Sequence, residues 1–191
     1  MQVFVPYPDL KQSVQCLDKS RLGNQVYREC LTILSVLKKG PTTPKGNPTG
    51  WYNHPATQMW YNHSYFLCEY AFAGLEELSY RGLHYPNIFD KVHEIQLTKR
   101  DTGPPMWWGD NRVHLSHRSS LLQKDPDHYR QYFEGTPKMD YFWPVINKEE
   151  VVSYGMEYQR RKEEERRKKG EERKEKKEEI KQESREKVGS I

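Results

Sequence analysis

The chain has 191 residues, 35% of them hydrophobic, with 31 Lys/Arg against 27 Asp/Glu and a formal net charge of +4. So small an excess permits a polyanionic partner without demanding one, because a strong nucleic-acid footprint is a dense basic face. No run reaches the roughly 18 apolar residues of a membrane span, and residues 1–9 lack the basic and apolar regions of an export signal.

The charge is unevenly distributed. From Asn147 to Ile191, 28 of 45 residues are charged, 15 basic and 13 acidic, so this stretch cannot enter a core. The expected organisation is an all-α bundle over residues 1–146 with a short extended N-terminal arm, followed by a charged helical or disordered tail over 147–191. Cys16, Cys30 and Cys68 are odd in number and widely spaced. They read as reduced core residues of a cytoplasmic protein.

In chain order, Met1 to Pro8 alternates apolar and polar residues before two prolines and reads as an extended arm. Asp9 is the expected N-cap of a short helix carrying Leu10, Val14 and Leu17. A longer helix is expected from Asp18 to Lys38, ended by Gly40 and Pro41. On it Leu22, Val26, Cys30, Ile33 and Leu37 share one stripe about 80° wide at 100° per residue. Arg21, Gln25 and Arg28 lie beside that stripe, and Glu29 falls on its border. Residues 40–50 (GPTTPKGNPTG) read as a loop. A third helix is expected from Pro55 to Tyr80 or Arg81, closed by Gly82, and a fourth from Pro86 through Ile95. After an irregular stretch holding PPMWWGD, two short helices over 116–124 and 127–133 complete the core.

Polar groups crowd in three places where a helical core would be simple. In LDKSRLGNQ with Arg28 and Glu29, arginine forks suit bidentate phosphate contacts and Glu29 suits acid–base work; a solvated Arg/Glu pair explains the same residues. In GWYNHPATQMWYNH, His54 precedes a proline as a helix cap, and Trp60 either stacks on a base or packs in the core. In PPMWWGDNRVHLSHRSSLLQKD, Trp107 and Trp108 form either an aromatic wedge or a core plug. His114 and His117 lack a third ligand at metal-motif spacing, so no metal is expected. Ser116 and Ser119 near a helix start, with His117 and Arg118, suit an anion site better. Phosphate-loop, dinucleotide and nucleophile-elbow motifs are missing from the sequence.

Taken in order, MQVFVPYPDLKQSVQCLDKSRLGNQ, GWYNHPATQMW, PPMWWGD, SHRSSLLQKDPDHYRQYF and YFWP resemble the pyrimidine-dimer DNA glycosylases. These are the endonuclease V-like family of bacteria and their phages, and the likeness is strongest to its uncharacterised branch, over about residues 1–144. The resemblance implies an all-helical monomer that extrudes a damaged pyrimidine from double-stranded DNA and cleaves its glycosidic bond. It also implies strand cleavage as an AP lyase, with an amine and a glutamate and without metal or cofactor. Glu29 matches the glutamate, although one more residue separates it from Gln25 than in that pattern, which leaves Arg28 as the alternative occupant. The amine falls to Met1, with Lys19 and Lys124 as alternatives. Arg21, Arg118 and Arg130 are the implied phosphate clamps, and Gln25, His54, Trp60, Trp108 and His117 complete the expected DNA contacts. Two other classes fit the same residues: a phage-type transferase that attaches an amine to a modified pyrimidine, and a non-catalytic nucleic-acid-binding module.

Overall fold

Short acidic residues start the helices, as the sequence leads one to expect. Asp9 accepts from the Gln12 N–H (2.7 Å) and opens α1, Leu10–Gln15; Asp18 accepts from the Arg21 N–H (3.0 Å) and opens α2, Lys19–Asn24. The computed structural model describes residues 2–98 and 103–188. From α2 the chain runs without a break through a π-helical turn, Gln25–Cys30, into α3, Leu31–Lys39, which Gly40 closes at φ 74°. The long helix expected over 18–38 is therefore one rod with a wide turn at its centre. A π turn is how a helix absorbs an additional residue without losing its direction.

The remaining helices are α4 (Pro55–Gln58), α5 (Ser64–Tyr80), α6 (Pro86–Leu97), α7 (Asn111–Lys124), α8 (Pro126–Phe133) and α9 (Lys148–Val188). No strand occurs among the described residues, and the fold is all-α. The central element is α5, which packs on α1, α2, the π turn, α3 and α6. Leu22, Val26, Cys30, Ile33 and Leu34 are buried against it, with Leu67, Cys68, Tyr70, Ala71 and Leu78 on its own side. Gly74 of α5 makes this approach possible, since a Cβ there would collide with Val26 Cγ2.

Two expectations require correction. The helix expected from Pro55 to Tyr80 is broken, because Asn62 takes a left-handed conformation (φ 63°) between α4 and α5. Asparagine tolerates that region better than most residues. The helix expected from Ser116 starts at Asn111, capped by Asp110 through the Arg112 N–H (2.9 Å). Packing continues into the start of α9, where Val151 is buried and the Lys148 ammonium lies over the Tyr52 and Tyr61 rings at 5.4 and 4.8 Å. Beyond it, the α9 residues whose burial is described are exposed, apart from the half-buried Gly170. No helix among the described residues is long and apolar enough to cross a membrane.

Candidate active site

The π turn carries Gln25 and Glu29 to the same side, towards the N-terminal arm. Gln25 is buried and Glu29 half-buried. The Gln2 backbone N–H donates to Glu29 Oε2 at 2.9 Å. The Phe4 N–H donates to Gln25 Oε1 (2.6 Å), and Gln25 Nε2 donates to the Gln2 carbonyl (3.1 Å). Glu29 thus meets the arm, while Arg28 is exposed at the rim.

A cavity of about 670 Å³ opens at this point, lined by Gln2, Phe4, Ser20, Arg21, Asn24, Gln25, Arg28, Glu29, Lys124 and Tyr141. Five residues singled out in the sequence thus converge here: Arg21, Gln25, Arg28, Glu29 and Lys124. Lys124 comes from the last turn of α7, more than 90 residues from Glu29 along the chain.

Arg21 is committed in part to structure. Its Nη1 pairs with Asp18 (2.6 Å) and Asp125 (3.3 Å), and its guanidinium lies 5.4 Å from the Tyr129 ring centre. Burial alone would raise the Asp18 carboxyl, but hydrogen bonds from Arg21 and Tyr129 outweigh it and hold the group down at about 2. This network joins α2 to α8 and presents one positive group to the cavity.

Tyr141 continues from the cavity into a run of rings. It lies 5.4 Å from Trp143, which meets His54 edge-on at 6.1 Å, and His54 faces Trp51 at 5.3 Å. His54 Nδ1 accepts from the Ala56 N–H as the cap of α4, and burial lowers its pKa. Trp51 is 60% exposed, so the run ends in solvent.

Other expected contacts are turned inward. Trp60 is buried and meets Trp107 edge-on at 5.2 Å, so the core alternative holds for it. Trp107 donates to the Met59 carbonyl (2.8 Å), and the half-buried Trp108 donates to the Pro8 carbonyl (3.2 Å); the pair is a plug. His117 is fully buried, Arg118 Nε donates to the Pro6 carbonyl (2.7 Å), and the Arg118 guanidinium lies over Tyr7. The anion site expected at Ser116 and Ser119 does not form. Ser116 lies inside α7 and donates to Val113 O, while Ser119 exchanges hydrogen bonds with the Met139 backbone. Arg130 is exposed on α8, away from the cavity lining, and Lys19 lines a neighbouring apolar pocket with Tyr27 and Tyr85. Met1 lies outside the described residues.

The two α7 histidines have all four ring nitrogens engaged with the protein. His114 Nδ1 donates to the Val5 carbonyl (2.6 Å) and its Nε2 accepts from the Gly109 N–H (3.1 Å). His117 Nδ1 accepts from the Val5 N–H (2.9 Å), so the proton of its neutral ring sits on Nε2. That N–H needs an acceptor, and the Gln2 side-chain amide lies 2.5 Å away with its Oε1 otherwise buried and unpartnered. The His117 N–H is satisfied when Oε1 is the atom facing it, in exchange for the bond that Gln2 Nε2 otherwise donates to the Val3 carbonyl (3.2 Å). Complete burial, then the neighbouring His114, pushes the His117 pKa down to about 3.

Sequence reasoning passed over Gln2, Asn24 and Tyr141 as cavity walls. The available signals were the YFWP aromatic cluster and the position of Gln2 at the start of a buried arm. Helix and cavity together define an all-α protein whose cleft offers a carboxylate, an amine and arginine. Residues 1–90 match the model of the family described as pyrimidine dimer DNA glycosylase, and over that span the resemblance read from the motifs is shown. The match covers 90 of the 191 residues, and the family's description is that of a DNA-repair glycosylase. No curated protein and no solved structure matches the chain.

Proposed function

We propose that this protein is a monomeric DNA N-glycosylase with AP-lyase activity, acting on dimerised or modified pyrimidines extruded from duplex DNA. The observation that carries the reading is the half-buried Glu29, tied to the start of the chain at Gln2 and opening on the same cavity as Lys124. A carboxylate beside an amine, in a cleft rimmed by arginine, suits imine chemistry on a phosphodiester. The candidate amines are Lys124, on the cavity wall, and the α-amine of Met1.

The neutral amine forms a bond to C1′ while the glycosidic C1′–N bond breaks, and its electron pair leaves with the base, which takes up a proton. The sugar ring then opens, O4′ accepts a proton from the nitrogen, and a protonated imine remains. Glu29 removes a C2′ proton, and the electrons expel the 3′ phosphate as the strand breaks. Arg28 and Arg21 hold phosphate, Tyr141 and the rings beyond it stack on extruded bases, and the site needs no cofactor.

Borohydride trapping on duplex bearing an abasic site tests the reading. A covalent protein–DNA adduct is expected, and peptide mapping of that adduct names the amine. Glu29→Gln should still bind and trap yet lose strand cleavage by about 100-fold or more. Binding without any adduct, or unchanged cleavage by Glu29→Gln, would overturn it. A gain of mass on modified DNA supplied with an amine donor would instead assign a base-modifying transferase.

A further inference from the structure

The arm runs extended from Gln2, yet no strand lies beside it among the described residues. Buried backbone groups must be paired, and here side chains replace the missing strand. The Tyr70 hydroxyl donates to Phe4 O (2.8 Å), His117 and His114 take the Val5 N–H and supply its carbonyl, and Arg118 supplies the Pro6 carbonyl. Gln25 is distinctive in this set because it pairs the backbones of two residues at once, accepting from the Phe4 N–H and donating to the Gln2 carbonyl. It does for the arm what one residue of an adjoining strand would do, and it does so from the helical turn that carries Glu29.

We propose that Gln25 is a positioning residue rather than a DNA contact: it fixes the register of the arm so that the Gln2 N–H engages Glu29 Oε2 and leaves Oε1 to take the proton. This rests on the glycosylase/lyase reading above. Register matters because a slip of one residue would exchange the buried sites of Val3 and Val5 with those of Gln2 and Phe4, which differ in size and polarity, and remove the Gln2 N–H from Glu29. The π turn serves the same end, since it delivers Gln25 and Glu29 together to the arm.

The test compares the full chain with Gln25→Met, which keeps length and bulk but neither hydrogen bond, and with Gln25→Glu, which keeps the acceptor for the Phe4 N–H. On abasic duplex, Gln25→Met should lower kcat for strand cleavage by about 10- to 100-fold, the scale of a 1 Å misplacement. Its KM and its binding should stay within about 2-fold, as for a group that contacts no DNA. Gln25→Glu should recover part of the loss. Unchanged kcat in Gln25→Met would overturn the proposal. So would binding that falls in step with kcat, which would make Gln25 a DNA contact or a folding residue.

Should the unaltered protein neither trap nor cleave, the functional reading fails by itself. The clamp is then judged by hydrogen exchange. Rapid exchange of the Gln2 and Phe4 amides in Gln25→Met, with the helical core still protected, supports it, and unaltered protection at both overturns it.

Discussion

Residues 2–8 borrow partners for their backbone groups from side chains on distant helices, whereas α9 pairs its own backbone and needs only solvent around it. The arm is held by Gln25, Tyr70, His114, His117 and Arg118, which span almost a hundred residues of sequence. The exposed part of α9 is laced by contacts one turn apart, such as Arg160–Glu164 and Arg161–Glu157. The arm can therefore exist only after the core has assembled, while the tail is specified locally. Each predicts a different response to the same kind of change.

The largest effect is expected where the arm's helix is seated. Gly74→Ala puts a methyl into Val26, a stiff β-branched side chain inside the π turn, with Leu22 and Val14 closing the other sides. Overpacking of this kind costs about 1–3 kcal/mol, or about 2–4 °C of melting temperature for each kcal/mol in a chain of this size. Because the displaced turn carries Gln25 and Glu29, strand cleavage should fall further than stability explains. Calorimetry beside a cleavage assay checks it; normal melting and normal cleavage in the Gly74→Ala variant would mean that the close approach is unimportant.

Acid should act on the arm next. The ordinary imidazole pKa is 6.5, and His117 in the folded chain is held near 3. Between those values the unfolded chain binds more protons than the folded one, so stability is complete above about pH 6.5 and is lost progressively as pH falls towards 3. His114 is lowered as well, chiefly by burial, and adds in the same direction. Asp18 contributes only below its ordinary 3.8, down to about 2. Urea midpoints should fall between pH 7.5 and 4.5. His117→Gln should be less stable than the unaltered protein at pH 7.5 and closer to it at pH 4.5; parallel curves would show that this histidine is not the acid-sensitive group.

These two regions also explain what was legible in the sequence. Caps at Asp9 and Asp18, prolines at the first turns of α4 and α6, and the stripe through Leu22, Val26, Cys30 and Ile33 are local signals, and the helices follow them. Arg21, Arg28 and Glu29 stand out because charges crowd a helix border. The break at Asn62 was hidden because Met59, Trp60 and His63 are buried on both sides of it, so their spacing still looked helical. His117 was read as a DNA contact because nothing local reveals that a fully buried imidazole is committed to an arm 112 residues away. Sequence spacing reports the faces of an element; it does not report which buried polar group answers which backbone.

A smaller effect should separate the tail's root from its length. Truncation after Asn147 removes Lys148 from its two tyrosines and the buried Val151, at about 1.5–3 kcal/mol for the valine alone. Truncation after Glu157 keeps both and should shift the melting temperature by about 1 °C or less, since residues 160–169 and 171–178 are exposed. Cleavage by the longer form should match the full chain. Equal melting for both truncations would place the end of the folded domain before Lys148.

The smallest effect is expected in the middle of α9. No atom lies within 4 Å of where a Gly170 Cβ would stand, so alanine adds no clash and gains about 0.8–1.0 kcal/mol of local helix preference. The neighbouring ion pairs add only about 0.2–0.5 kcal/mol each and are weakened by salt. Gly170→Ala should therefore raise the far-ultraviolet helical signal, most clearly at high salt where those pairs are screened. The melting of the core, the acid sensitivity and the cleavage rate should all stay where they were. If the same substitution altered cleavage, the tail would have to reach the Glu29 cleft, and local specification could not account for it.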